Sequence, residues 1–335
     1  MKRPATIKDL AIQLNISVST VSRALRNAAD VNPDTRKQIL ELAEKLNYQP
    51  NFFAQGLVKK KTNMIGVIVP SIHSNYFSEA LSGMTDLALD QGLHLMICQS
   101  NEQAEIEMRS IKKLLACHVD GMLVSVSKQS KDPFIFEQVR EAGIPIVMFD
   151  RILSNFECSK VIVDEYEGAF RAVEHLIKKG CRRIAHLGGP RELSVTKNRR
   201  MGYIDALQKY GLPVDEQLII HCSAFEDNAM IALRKILHAP GAPDGIFFVN
   251  DLSAVAGIKY LRNKGYRIPE DIRVAGFNND PVSEVVEPSL TTVMQPGYEV
   301  GKLAMGVLID QIADESLPYK NLKLRTQLVV RQSSR

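Results

Sequence analysis

Residues Thr6 to Asn27, TIKDLAIQLNISVSTVSRALRN, hold two helix-length segments separated by three residues. Ile7, Leu10, Ala11 and Leu14 recur at the i, i+3, i+4, i+7 spacing of a helix that buries one face, and Asn15-Ile16-Ser17 interrupts them as a short turn. A second helix starts at Ser17. Its inner stripe is Val21, Ala24 and Leu25, while Ser19, Ser22, Arg23 and Arg26 fall on the opposite face. Guanidinium forks match the guanine O6/N7 edge, hydroxyls reach bases or phosphates, and the second helix of such a pair presents mainly its N-terminal residues to the major groove. The DNA-facing candidates are therefore Ser17, Val18, Ser19, Thr20 and Arg23, to which Ser22 on the same face and Thr6 at the start of the first helix are added. A small helical bundle with a solvated polar face is the alternative.

A third helix closes this small core. Asn32 suits its N-cap, Pro33 its first position, and Ile39, Leu42, Ala43 and Leu46 supply the packing stripe. After Tyr48-Gln49-Pro50 the stretch Asn51 to Val58 reads as a short helix. Gly56 costs about 1 kcal/mol in a helix interior, so a helix this short is marginal alone. Charge sets the segment apart: residues 1–62 carry 11 Lys and Arg against 5 Asp and Glu, leaving 31 against 33 elsewhere. Localised basicity is the footprint of a phosphate-binding module joined to a body without attraction for nucleic acid. Lys59-Lys60-Lys61 by itself is equally a solvated linker.

The 335 residues, 45% of them hydrophobic, imply two or three globular domains. There is no apolar run long enough to span a bilayer, and the MKRPATIKDL start has no signal core, so a cytoplasmic protein is expected. Cys98, Cys117, Cys158, Cys181 and Cys222 lack metal-ligand spacing and read as reduced thiols. No metal or cofactor is expected.

From Met64 the pattern changes to short apolar runs alternating with longer amphipathic segments, the mark of α/β architecture. Strands are expected at 64–69, 94–99, 121–126 and 145–149, with helices at 76–91, 103–117 and 133–142 between them. A second series has strands at 161–163, 184–188, 218–220, 245–249 and 272–277, helices at 166–179, 197–209, 227–237 and 252–263, and a final strand at 323–330. Two such units imply a cleft, and open parallel sheets bind ligands beyond the carboxyl ends of their strands. Those ends are polar: Phe149-Asp150-Arg151, Val163-Asp164-Glu165, Val249-Asn250-Asp251 and Phe277-Asn278-Asn279-Asp280. With the planar donor fork of Arg199 they suit a sugar or another polyhydroxy metabolite, and Tyr76, Phe77 and Phe225 can cover its apolar faces. Asp or Asn after a strand is also an ordinary helix cap, an alternative that stands for Asp164 and Asp251.

The run TIKDLA, SVSTVSRAL, PDTRKQILELAEKLNYQPN, AQGL, then GVIVPSI, DGMLVS, IPIVMFDR, VDEYEGA, GGP, FVNDLSAVAGI, VAGFNND and SLTTVMQP resembles the lactose-repressor (LacI-type) family of bacterial transcription regulators over nearly the whole chain. The resemblance implies a helix-turn-helix headpiece over 1–50 and a hinge helix and linker over 51–62. The body, 63–335, has two periplasmic-binding-protein-like, Rossmann-like lobes, about 63–162 with 292–322, and about 163–291 with 323–335. It implies a leucine wedge into the minor groove at Leu57, with Asn51 also at the DNA. The marginal helix around Gly56 is then expected to order only on DNA, a plain linker with Leu57 packed on the body being the alternative. Ligand roles carry onto Tyr76, Phe77, Asp150, Arg151, Asp164, Arg199, Phe225, Asn250 and Asn278. Many members have Asp at 278, and nucleobase-binding relatives have polar residues where this chain has Leu193 and Val195. A neutral sugar or oligosaccharide is therefore expected, with a sugar phosphate open through Arg151, Arg191 or Arg199.

Enzyme chemistry has little support. Gly188-Gly189-Pro190 is neither GxGxxG nor a P-loop, no G-x-S-x-G occurs, and the seven histidines show no H-E-x-x-H spacing. A solute receptor of transport type would lack the basic N-terminal module. The reading is a dimeric repressor of carbohydrate genes on a palindromic operator, regulated by a small-molecule effector; a protein co-regulator or a nucleoside-type effector is the alternative.

Overall fold

The computed structural model describes residues 5–25, 27–28, 30–48, 61–221, 227–238 and 241–335. Asn51, Leu57 and Phe225, like Arg26 and Gly56, lie outside them. The chain divides between Thr62 and Asn63 into two compact units, each described by itself.

The first unit has three helices, α1 (Ile7–Gln13), α2 (Val18–Leu25) and α3 (Pro33–Lys45). Thr6 and Asp9 cap α1 reciprocally, Asn15 takes a left-handed φ of 51° in the turn, and Asn32 caps α3 through the Asp34 N–H. Leu10, Ala11, Val21, Ala24, Val31, Ile39 and Ala43 are buried together. Each of the larger ones adds about 1.5–3 kcal/mol relative to exposure, enough for three short helices that are unstable singly.

The second unit contains two parallel sheets. The first has the order β11-β5-β4-β3-β1-β2, formed by β1 (Met64–Val69), β2 (His94–Gln99), β3 (Gly121–Val124), β4 (Ile146–Phe149), β5 (Ser159–Val163) and β11 (Asn321–Leu324). Helices α4 (Asn75–Asp90) and α12 (Gly297–Ala313) cover one face; α5 (Ala104–Ala116) and α6 (Phe134–Glu141) cover the other. Gly83 and Gly301 let α4 and α12 touch along their backbones, since a Cβ at either would collide with the carbonyl of Tyr298 or Ala80.

The second sheet runs β7-β6-β8-β9, from β6 (Ile184–Gly188), β7 (Ile219–His221), β8 (Gly245–Phe248) and β9 (Arg273–Ala275). It is enclosed by α7 (Glu165–Lys178) and α8 (Ser194–Lys209) on one side and by α9 (Asp227–His238) and α10 (Asp251–Asn263) on the other. Both faces being covered explains why the strands read as continuous apolar runs.

Three differences from the sequence expectation have physical causes. Helix α8 begins at Ser194, three residues early, and its first turn carries the buried Val195 and Thr196, a buried start that helical periodicity from Lys197 does not register. Leu218 closes a 3-10 turn capped by Asp215, which shifts β7 forward by one residue. The stretch 323–330 is two strands: β11 pairs with β5, whereas β12 (Gln327–Val329) pairs antiparallel with β10 (Thr292–Met294). Single-residue bridges from Thr291 to Ala275 and from Met294 to Asn278 lay this ribbon beside the second sheet. A four-residue helix, α11 (Val282–Val285), precedes β10.

Candidate functional site

In the first unit, Ser17 caps α2. Its Oγ accepts the Thr20 N–H (3.1 Å) and lies 2.7 Å from Ser19 Oγ and 2.8 Å from Thr20 Oγ1. Ser17, Val18, Ser19 and Arg23 are exposed; Thr20 and Ser22 are half-buried. Arg23 Nη1 forms a 3.0 Å ion pair with Asp30. Such an exposed pair is worth at most about 1 kcal/mol, so it leaves the guanidinium available. Thr6 is exposed but occupied: its hydroxyl donates to Asp9 Oδ2 at 2.8 Å and accepts the Asp9 N–H at 3.4 Å. The exposed hydroxyls thus gather at the N-terminal end of α2, with the Arg23 guanidinium exposed in its last turn.

In the second unit a cavity of about 440 Å³ opens at the carboxyl ends of β1, β4, β6, β8 and β9. Of the residues proposed from sequence, Tyr76, Phe77, Asp150, Arg151, Arg199, Asn250 and Asn278 line it together. Asp164 is not among them. It caps α7 through the Glu167 N–H (3.1 Å) and pairs with Lys323 at 2.9 Å, so the capping alternative describes its place.

Arg199 is nearly wholly buried. Its Nε donates to Glu165 Oε2 at 2.6 Å, its Nη1 donates to the Val249 carbonyl, and its guanidinium lies 3.7 Å above the Phe277 ring. Glu165 Oε1 accepts from Gln295 Nε2 at 2.7 Å. Arg199 and Gln295 therefore neutralise and satisfy a carboxylate that would be costly alone.

Arg151 Nη1 donates to both Glu102 oxygens, at 2.7 and 2.9 Å, and its Nε is 3.8 Å from Asp150 Oδ2. Asp150 has a left-handed φ of 58°. Burial pushes its carboxyl up to about 7; Arg151 opposes the shift and Glu165 adds to it. Asn250 Oδ1 caps α10 by accepting the Ser253 N–H at 2.8 Å, which leaves its amide nitrogen for the cavity. Asn278 sits at φ 114°, fixed by its N–H on the Val293 carbonyl at 2.8 Å.

Tyr76 and Phe77 meet edge-on at 5.5 Å and are buried, and Phe77 packs on Phe149. Burial raises the Tyr76 phenol well above its ordinary value, and its hydroxyl has no partner among the described residues. Leu193 and Val195 form an apolar wall opposite.

Sequence reasoning missed Glu102, Asp280 and Gln295 as lining residues. Asp280 lies in the polar run after Phe277 and was within reach of that signal. Its N–H donates to Asp251 Oδ2 at 2.7 Å, and its Oδ1 is buried without a partner among the described residues. Asp251 also accepts Thr292 Oγ1 at 2.5 Å, and burial lifts its carboxyl to about 7. Gln295 gave no local signal because its contact with Glu165 spans 130 residues. His186 is a core residue stacked between Tyr203 and Phe247, with burial holding its pKa down at about 3.

Among the described residues no helix is long and apolar enough to cross a membrane, and no cluster of three His, Cys, Asp or Glu side chains forms a metal site. A family model described as bacterial regulatory proteins, lacI family, matches residues 6–51, and one described as a periplasmic binding protein-like domain matches 173–334. The chain is 31% identical to catabolite control protein A of Priestia megaterium over 98% of its length and 99% of the relative's. It is also 31% identical to the ribose operon repressor of Halalkalibacterium halodurans, over 98% of this chain and 97% of that one. The solved structure of a transcriptional regulator CelR–cellobiose complex superposes with a TM-score of 0.76 at 28% identity, covering 98% of this chain and 99% of that one. With the three-helix unit, the twin parallel sheets and relatives matched end to end, the chain belongs to the lacI family of bacterial regulatory proteins.

Proposed function

We propose that this protein is a sequence-specific repressor of carbohydrate genes, cytoplasmic and without enzymatic activity, whose operator affinity is set by a polyhydroxy effector in the cavity of the body. The segments act as a headpiece over 1–50, a hinge over 51–62 and a two-lobed body over 63–335. Ser17, Val18, Ser19, Thr20, Ser22 and Arg23 meet the major groove, with Thr6 at a phosphate and Asn51 and Leu57 at the hinge. A homodimer reads a palindromic operator, one headpiece for each half-site.

One observation carries the effector class. The cavity combines hydroxyl-accepting carboxylates, Asp150 and Asp280, with the amides of Asn250, Asn278 and Gln295 and apolar walls from Phe77, Leu193 and Val195. Arg151 and Arg199 already hold carboxylates of the protein, so the cavity's strongest cations are not left over for an anion. That balance fits a neutral sugar, whose hydroxyls donate to the carboxylates and whose ring faces rest on the apolar walls. A relative named as a ribose operon repressor and a neighbour holding cellobiose support the reading.

The test is a thermal-shift screen of the full chain against neutral mono- and disaccharides, sugar phosphates and nucleosides, followed by operator titration with each hit. A ligand at 100 times its Kd stabilises the native state by about 2.7 kcal/mol. A neutral sugar is expected to raise Tm and to change operator affinity. Stabilisation by nucleosides alone, or by no small molecule at all, would overturn the effector assignment.

A further inference from the structure

A second cavity, also about 440 Å³, lies on the outer side of the Gly189–Leu193 loop. It is bounded by Arg191, Lys197, Arg200, Met201, Glu216 and His221, and it shares only Thr196 with the effector cavity. It sits at the carboxyl end of β7, the edge strand beside β6, where the first turn of α8 begins. That is the side of an open parallel sheet on which ligands collect.

The charges do not cancel. Arg200 Nη2 donates to both oxygens of Glu216, at 2.8 and 3.1 Å, which neutralises that pair. Arg191 and Lys197 have no ion-pair partner among the described residues, which leaves a surplus of two positive charges on the walls. His221 Nδ1 donates to the Gly189 carbonyl at 3.1 Å, leaving Nε2 as its open edge. Burial lowers the His221 pKa, and Arg191 and Arg200 lower it further, a sign of the positive field at the ring.

Two features point to a ligand. The 16-residue α8 has no side-chain cap, so its positive N-terminal end is not answered by a protein acceptor. Thr196, only 1% exposed, sits in that first turn on the wall shared by the two cavities, and its Oγ1 has no partner among the described residues. An orphan hydroxyl and an uncapped helix start beside two cations without ion-pair partners are the chemistry of anion capture.

We infer that this outer cavity is a binding site for a phosphate-type dianion, separate from the effector cavity and held by Arg191, Lys197 and Thr196. The probe is inorganic phosphate, titrated calorimetrically into the operator-free full chain at constant ionic strength. Arg191→Gln combined with Lys197→Gln is the diagnostic variant, because both residues are exposed and neither lines the effector cavity. Lys112→Gln, exposed on α5, serves as the charge control.

Saturable binding is expected in the wild type, weakened at least about tenfold in the double variant and unchanged within about twofold in the control, as the loss of charge-assisted contacts requires. Phosphate binding retained by the double variant would place the anion in the effector cavity or the basic headpiece and overturn the proposal. Absence of saturable binding, or an equal loss in Lys112→Gln, would overturn it as diffuse surface charge.

Discussion

Arg199 Nε lies 2.6 Å from Glu165 Oε2, and both side chains are almost fully withdrawn from solvent. The guanidinium therefore has two tasks. It lines the effector cavity, and it neutralises a carboxylate that also holds Gln295, at the point where the chain passes from β10 to α12. Removing one partner of a buried pair costs about 3–5 kcal/mol, because the other is left as an unpaired charge. Arg199→Ala is accordingly expected to destabilise the body by that amount in urea unfolding, besides weakening effector binding. Arg199→Met combined with Glu165→Met should recover most of the stability while effector response stays lost. A change below about 1 kcal/mol in Arg199→Ala would show that the pair is solvated.

Asn250 allows the cap and the ligand contact to be separated. Its Oδ1 caps α10, a service that aspartate performs equally well and alanine does not, at a cost of about 1 kcal/mol. Asn250→Asp should keep wild-type stability and lose the amide donor, lowering effector affinity roughly five- to 150-fold through about 1–3 kcal/mol for an unmet hydrogen bond. Effector titration and urea unfolding of the same preparation check both halves. An unaltered effector response in Asn250→Asp would remove Asn250 from the ligand shell.

Asp150 carries a pH signature. Its folded pKa is raised to about 7 by burial, against about 3.9 in the unfolded chain. The folded state holds the proton more tightly, so the contribution to stability is complete below pH 4 and is lost as pH rises toward and through 7. Asp150→Asn should remove its share of this dependence, leaving the share of Asp251, and be more stable than wild type at pH 7.5. Hydroxyl donors of a sugar favour the ionised carboxylate, so effector affinity should rise across the same window in the wild type. Unfolding curves and effector titrations between pH 5 and 8 measure both slopes, and parallel slopes in wild type and Asp150→Asn would contradict the assignment.

Arg23 on α2 separates DNA contact from folding. Its ion pair with Asp30 is exposed on both sides, so Arg23→Ala should leave headpiece stability within about 1 kcal/mol. Loss of one good base contact should weaken operator binding by about 1–3 kcal/mol at fixed salt. Asp30→Ala frees the same guanidinium and should leave operator affinity equal or slightly tighter. Operator binding of Arg23→Ala within twofold of wild type would reject the contact.

Much of the architecture was legible because its signals are local. Leu10, Val21 and Ile39 recur at helical spacing and are each buried in the three-helix core. The apolar runs of β1 and β8 announced strands covered on both faces, and the polar residues after β4, β8 and β9 marked the cavity rim at Asp150, Asn250 and Asn278. These properties depend on periodicity and on the residue that ends a strand, which a chain displays before it folds. What only the tertiary structure decided is the pairing of distant groups. Asp164 and Asn250 both follow strands and both cap helices, yet one is drawn to Lys323 outside the effector cavity and the other faces into it. Glu165 meets Gln295 across 130 residues. Burial, not residue type, lifts Asp150 and Asp251 toward neutrality. The physical reason is that hydrogen-bond partners and desolvation are set by which elements pack together, and no window of sequence short enough to read contains both partners.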